Sequence, residues 1–365
     1  MNKKTPFISP KSHGFSLIEL MVAVVIGLLG VVVIFQVLSV WDARKRTTIA
    51  GSDAQVAGSI GVFALERDLK VVGYGMGRIR PAELNCNVQA INANGAASNF
   101  SLVPALITQG ATFAPDQLSL LYGNSQYFTA VERFKNSTAT TKDGLRFRIG
   151  LFPGDLVVVT NAPATPGAAT CELIEITSTA TAENITHTPS SYVPFGAPVG
   201  ATAQPARFNP AGGTVNAFTN GNLYNLGPQP RRNVWQIRAG GVLSVNEMFN
   251  AGAMIDIAEG IVDLQAEYGT LNATGTIDWV DAAPTDWNTL QAIRVALLAR
   301  SQQFEKDPIT TVAPGFFNGS RSFAMGNVFG AQSSTAAGAP TNWQHYRYRV
   351  YEKIVPLRNV MWGKT

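Results

Sequence analysis

The chain has 365 residues, 46% hydrophobic and 14% charged, which is enough apolar material for a sizeable core and too apolar for a disordered tail. Its net charge of +4 comes from 28 Lys and Arg against 24 Asp and Glu, but Lys3, Lys4 and Lys11 precede Gly14 with no acid beside them, leaving 25 against 24. So even a balance argues against nucleic acid as the main partner, since that binding needs clustered cations that displace counterions.

Residues 1–14 form a short basic leader, and FSLIELMVAVVIGLLGVVVIFQVLSV, residues 15–40, follows as a nearly unbroken apolar run. The run is longer than the ~7–15 residue apolar part of a cleavable secretory signal, and no small-x-small cleavage site follows it. At ~1.5 Å per residue it is long enough to cross the ~30 Å hydrocarbon layer of a bilayer. Its single ionisable group is Glu19. A carboxylate there costs roughly 2.5–3.5 kcal/mol on insertion scales, so Glu19 needs a partner. Near the headgroups, in the first turn of a helix, the macrodipole alone offers ~0.3–1 kcal/mol. Arg44, Lys45 and Arg46 follow the run and balance the three leader lysines, so charge does not orient it. Trp41, at its end, reads as an interface anchor.

Residues 41–75 are expected to continue the helix as an amphipathic half. Val56, Ile60 and Phe63 make one apolar row and Val62, Leu65, Leu69 and Val72 another, with Arg67, Asp68 and Lys70 between them. Gly51, Gly58 and Gly61 each weaken a helix by roughly 0.8–1 kcal/mol relative to Ala, so this half depends on tertiary contact. Gly73, Gly75 and Gly77 are the predicted stop.

From residue 76 to 365 the texture is that of a β-rich domain: short alternating segments divided by Gly, Pro, Asn and Thr. LRFRIGLF (residues 145–152) is predicted as a strand with Leu145, Phe147, Ile149 and Leu151 on one face and Arg146 and Arg148 on the other. DLVVVT reads as a more fully buried strand, and CELIEIT, VWQIR, IVDLQAEYG, AIRVALLAR and HYRYRVYEKIV as further strands. In IVDLQAEYG, Val262, Leu264, Ala266 and Tyr268 alternate with Asp263, Gln265 and Glu267, the pattern of an antiparallel sheet with one wet face. Two long loop regions, 178–233 and 308–343, are predicted to be functional or mobile. Cys86 and Cys171 both follow the apolar run, on the side an oxidising compartment would reach. A disulfide, worth about 4.5 kcal/mol for a loop of that size, and two separate buried thiols both stay open.

No constellation for catalysis is visible. Beyond His13 in the leader there are His187 and His345 only, and no HExxH, GxSxG, phosphate-cradling Gly loop or calcium-loop spacing occurs. Asp278, Asp281 and Asp286 read as a solvated acidic turn, and Arg231 and Arg232 beside Trp235 as an exposed turn, not a DNA contact. The expectation is of no enzyme activity, no metal and no cofactor.

A basic leader ending in Gly14, then Phe15, then Glu at the fifth place of the remaining chain, resembles the class III signal of type IV prepilins and pseudopilins. SIGVFALERDLKVVGYG, AIRVALLARS and YRYRVYEKIVPLRN look like stretches of the PilW group of minor pilins; residues 85–260 match nothing nameable. The resemblance implies an α+β, pilin-like fold with a long N-terminal hydrophobic helix packed on a large antiparallel β-rich C-terminal domain. It implies cleavage by a prepilin peptidase between Gly14 and Phe15, N-methylation of Phe15, and pairing of Glu19 with the N-terminal ammonium of a neighbouring subunit. The expected partners are other minor pilins and the major pilin, the peptidase, the inner-membrane pilus assembly machinery and the inner membrane itself. The expected place is the inner membrane with the domain in the periplasm, then the pilus at the cell surface, with roles in priming assembly, twitching, adhesion or DNA uptake. The alternatives are a large type II secretion pseudopilin and a tip adhesin using the two long loops. Cys86 falls later than the Cys that often follows the GY element in that group.

Overall fold

Ser16 starts the first helix by capping it: its hydroxyl accepts from the backbone N–H of Glu19 at 3.2 Å, satisfying one of the first turn's orphan donors. The computed structural model describes residues 14, 16–76, 79–111, 114–127, 131–146, 149–162, 169–179, 183–214, 216–249, 253–326 and 342–362. The helix runs over Leu17–Val71, a turn earlier than the expected end at 75, because Gly73 (φ +76°) and Gly75 (φ +83°) take the left-handed conformation that glycine alone adopts without strain. Contacts divide the chain within this helix, into Met1–Ser52 and Asp53–Thr365. In the first unit every described side chain of the helix up to Asp42 is exposed.

The second unit combines the last turns of the helix with three large sheets and two two-stranded hairpins among the described residues. An eight-stranded sheet is centred on Cys171–Glu175, Leu156–Thr160 and Thr219–Gly227; its Asn87–Gln89 strand runs parallel to Cys171–Glu175. A five-stranded antiparallel sheet has the order Ala253–Glu259, Val242–Glu247, Arg231–Arg238, Gln117–Tyr122, Ala105–Thr108. A four-stranded antiparallel sheet orders Ile277–Val280, Ile261–Leu271, Leu290–Arg300 and Tyr348–Pro356. The largest core joins Leu65 and Leu69 of the helix, and Val72 just after it, to Trp235, Leu243 and Leu118 of the five-stranded sheet and to Leu264, Tyr268, Leu297 and Val355 of the four-stranded one. The fold is therefore α+β, with an antiparallel-rich C-terminal domain.

Three local expectations are corrected. LRFRIGLF is no strand among its described residues: Ile149 is 87% exposed in a turn, and Gly144 and Gly150 both have positive φ, which breaks the extended run at either end. The 178–233 region is not one loop, since it contains the nine-residue strand Thr219–Gly227. In Ile261–Leu271 Leu264, Ala266 and Tyr268 share the core face as expected, but Val262, at the register shift between Ile261 and Asp263, packs on the opposite side, and that second face is dry: Asp263, Gln265 and Glu267 are all buried. The segment around the Gly315–Phe316 and Arg321–Ser322 hairpin covers that side, packing Phe316, Phe317 and Phe323 on Val262, Ala296 and Leu298. Glu267 is compensated by Arg321 at 2.8 Å and by the Arg294 Nε at 2.6 Å, and Arg321 also reaches Asp281 at 2.7 Å. A charged strand face can be buried only when such partners arrive with the cover.

Among the described residues Asp263 has no cation beside it. Its Oδ1 accepts from Gln265 at 2.9 Å, its Oδ2 has no partner among the described residues, and burial pushes its carboxyl up to about 7. Burial likewise raises nearby Asp116 to about 6. Both groups hold a proton more tightly folded than unfolded, so the domain is expected to gain stability as pH falls from about 7 towards 4 and to lose it on the way back up. Urea titrations across that range check the sign, and Asp263→Asn should flatten the slope while stabilising the fold at neutral pH; an unchanged slope would reject the assignment.

Candidate functional site

Gly14 is exposed, with nothing within 4 Å of where a side chain would begin, and Phe15 lies outside the described residues. Glu19 is an exposed residue in the helix's first turn. The span Leu17–Asp42 is 26 residues long, and its apolar window has a mean hydropathy of 3.0 with none of it buried. A surface this apolar, left bare over such a length, is suited to lipid or to other helices of its kind.

The second element of the site is the grip of the domain on the helix. The packed stripe is Ala54, Gly58, Gly61, Leu65, Leu69, whereas Val56, Ile60 and Phe63 stay exposed. The glycines, expected only to weaken the helix, let the sheets come close: a Cβ on Gly58 would lie 2.0 Å from the Tyr351 ring, and one on Gly61 3.0 Å from Leu243. Tyr351 then donates its hydroxyl to the Gln55 carbonyl at 3.0 Å, and Lys353 pairs with Glu66 at 3.3 Å. At the helix end the Asn359 amide donates to the carbonyls of Val71 and Val72, both at 3.2 Å, capping orphan acceptors of the last turn. YRYRVYEKIVPLRN is thus the segment that holds the helix.

Asp68 was expected between the apolar rows, and it is 7% exposed. Its Oδ2 accepts from the Asn233 amide at 2.7 Å and the Trp235 indole N–H at 3.0 Å, while Tyr122 donates to Oδ1 at 3.5 Å. Nothing in the helical pattern marked it; the available signal was an acid flanked by Leu65 and Leu69 on the face that packs. Trp235, with its ring 2% exposed, serves this contact and offers no stacking platform to a nucleic acid.

The remaining expected residues are placed as follows. Cys86 and Cys171 form a disulfide, with Cα atoms 6.1 Å apart, tying the start of the domain to the central sheet. Asp278 accepts from Asn272 at 3.0 Å, Asp281 pairs with Arg321, and Asp286 caps Asn288 at 2.9 Å, so the three serve separate turns. His187 is buried, and that burial lowers its ring to about 3, while His345 stacks on Phe304 with centroids 4.6 Å apart. Among the described residues no group of three or more His, Cys, Asp or Glu could hold a metal.

Residues 241–359 match the family model described as Type IV Pilus-assembly protein W. Residues 9–35 match the prokaryotic N-terminal methylation motif. No curated protein matches the chain, and no solved structure does. The first match takes in the strands from Val242–Glu247 to Tyr348–Pro356 and Asn359, and so includes Leu243, Tyr351, Lys353 and Asn359 among the residues that meet the helix. The second surrounds Gly14, Phe15 and Glu19.

Proposed function

We propose that this chain, a PilW-like type IV pilin by its two family matches, is a minor subunit that helps prime pilus assembly and lies at or near the filament tip. It is a structural component of the pilus, working with other pilins and the assembly machinery. The observation that carries the reading is the methylation motif set on an exposed span of 26 apolar residues in which Glu19 is the lone ionisable group before Asp42. Prepilin peptidase cuts between Gly14 and Phe15, Phe15 is N-methylated, and Glu19 meets the new ammonium of a neighbouring subunit, each charge relieving the other's desolvation. On this reading the protein starts in the inner membrane with its domain in the periplasm; the methylation motif and the apolar span support the anchoring, and the Cys86–Cys171 disulfide suits an oxidising compartment. After assembly the domain is at the cell surface, supporting twitching, adhesion or DNA uptake.

The match over residues 241–359 supports a pilus over a secretion pseudopilus. Deleting the gene and scoring surface pili, twitching and secreted exoproteins tests this: lost secretion with intact pili would reject it. Gly14→Leu is expected to block processing, because the peptidase's small-residue side of the cleavage site is filled. Mass spectrometry of membranes should then find the chain heavier by the whole leader, and normal trimming of the variant would refute the assigned site.

A further inference from the structure

Where the Thr219–Gly227 and Glu132–Ser137 strands pair, the eight-stranded sheet borders a cleft of about 710 Å³ that the pilus reading does not use. Its described lining includes four cations, Arg80, Arg133, Lys135 and Arg146, and one acid, Glu183. Strand alternation makes the central pair: Arg133 and Lys135 are exposed and stand two residues apart on one face, while Phe134 between them is turned into the core on the other. Ladder register puts Asn222 opposite Arg133. Arg80 joins from the residue before the Pro81–Glu83 turn, 4.0 Å from Glu83, which the Asn222 amide also reaches at 2.6 Å. Arg133 and Lys135 form no ion pair among the described residues.

A chain whose mature charge is nearly balanced has thus gathered like charges around one concavity, at a repulsive cost that an anion would relieve. The volume far exceeds one inorganic anion, for a water molecule fills only ~30 Å³ of liquid. Phe134, the one aromatic among the described lining residues, is 1% exposed, so the described lining offers no stacking surface of the kind on which unpaired bases bind. It offers instead guanidinium and ammonium groups for anions and the side-chain amide of Asn220 for hydroxyls. We propose that this cleft binds an acidic glycan, an oligosaccharide carrying carboxylate or phosphate groups, held by Arg133 and Lys135 with Arg80 and Arg146 at its sides. The inference stands apart from the pilus reading, since the cleft exists whether or not the subunit enters a filament.

The test is calorimetric titration of the full chain in detergent with oligogalacturonate, a phosphorylated mannooligosaccharide and neutral maltooligosaccharide. At least one acidic sugar should bind and the neutral one should not; which acid wins assigns carboxylate or phosphate. The Arg133→Gln, Lys135→Gln double variant, altering only exposed side chains, should weaken binding by about tenfold or more and lower the salt dependence of log K by roughly one to two. Lys306→Gln, outside the cleft, should leave both unchanged. The proposal fails if no acidic sugar binds, if the neutral sugar binds equally well, or if the double variant binds like the parent. It also fails if a single-stranded oligodeoxynucleotide binds more tightly than both acidic sugars and loses that affinity in the double variant, which would give the cleft to nucleic acid.

Discussion

Glu19→Ala is expected to be cleaved and methylated like the parent chain and yet to be missing from sheared pili. The leader, Gly14 and Phe15 are untouched, so the peptidase has its substrate, and in the isolated span the change even removes an insertion cost of roughly 2.5–3.5 kcal/mol. The loss falls on the assembled state. A chain-end ammonium packed among apolar helices without its counter-ion is destabilised by about 3–5 kcal/mol, the usual penalty for halving a buried pair, which corresponds to a hundredfold or greater change in partition. The measurement is an immunoblot of membrane and filament fractions with N-terminal masses for both. A variant present in filaments at the parent's level would remove Glu19 from the assembly mechanism, and a variant left uncleaved would show that the acid serves the peptidase instead. Glu19→Asp, which keeps the charge on a shorter arm, should retain part of the incorporation.

The second large effect is on the soluble side of the same helix. Asp68→Ala leaves the Trp235 indole N–H and the Asn233 amide buried with no acceptor, and removes hydrogen bonds to an ionised group that are worth ~1.5–3 kcal/mol each. A destabilisation of about 3–5 kcal/mol is expected, a large part of the 5–15 kcal/mol that holds a typical domain together. Chemical denaturation of the full chain in detergent, followed by Trp fluorescence, reads it. Because Asp68 fastens helix to sheet, the release should appear as protease sensitivity near residues 53–71 before the strands yield. Asp68→Asn, which keeps an acceptor, should lose less, and equal losses in the two variants would show that the charge, not the hydrogen bonds, is what the site requires. A loss under about 1 kcal/mol would show that the contact is incidental.

How much of this was legible in the sequence differs element by element. The span was plain because the run of residues 15–40, nearly unbroken apolar sequence with Glu19 as its one acid, needs no partner to be recognised. Leu156–Thr160 was readable as a buried strand because its apolar run is short and rich in β-branched Val, and Ile261–Leu271 because its period is two. LRFRIGLF carried the same period and folded otherwise, since the glycines at its two ends favour turns that a count of apolar residues does not weigh. Asp68 was marked only by Leu65 and Leu69 around it, and the face of the helix that packs and the cleft around Arg133 and Lys135 had no sequence signal of their own. Each depends on which distant strand arrives beside it.

The sequence by itself determined the match to the methylation motif over residues 9–35, the apolar span and the α+β class, because hydropathy and periodicity act between neighbours along the chain. Only the tertiary structure decided that Gly58 and Gly61 face the sheets, that Asp263 and Glu267 lie under a hairpin, and that Cys86 meets Cys171 across 85 residues. Burial is a property of what covers a residue, and the cover is supplied by parts of the chain that local pattern cannot see.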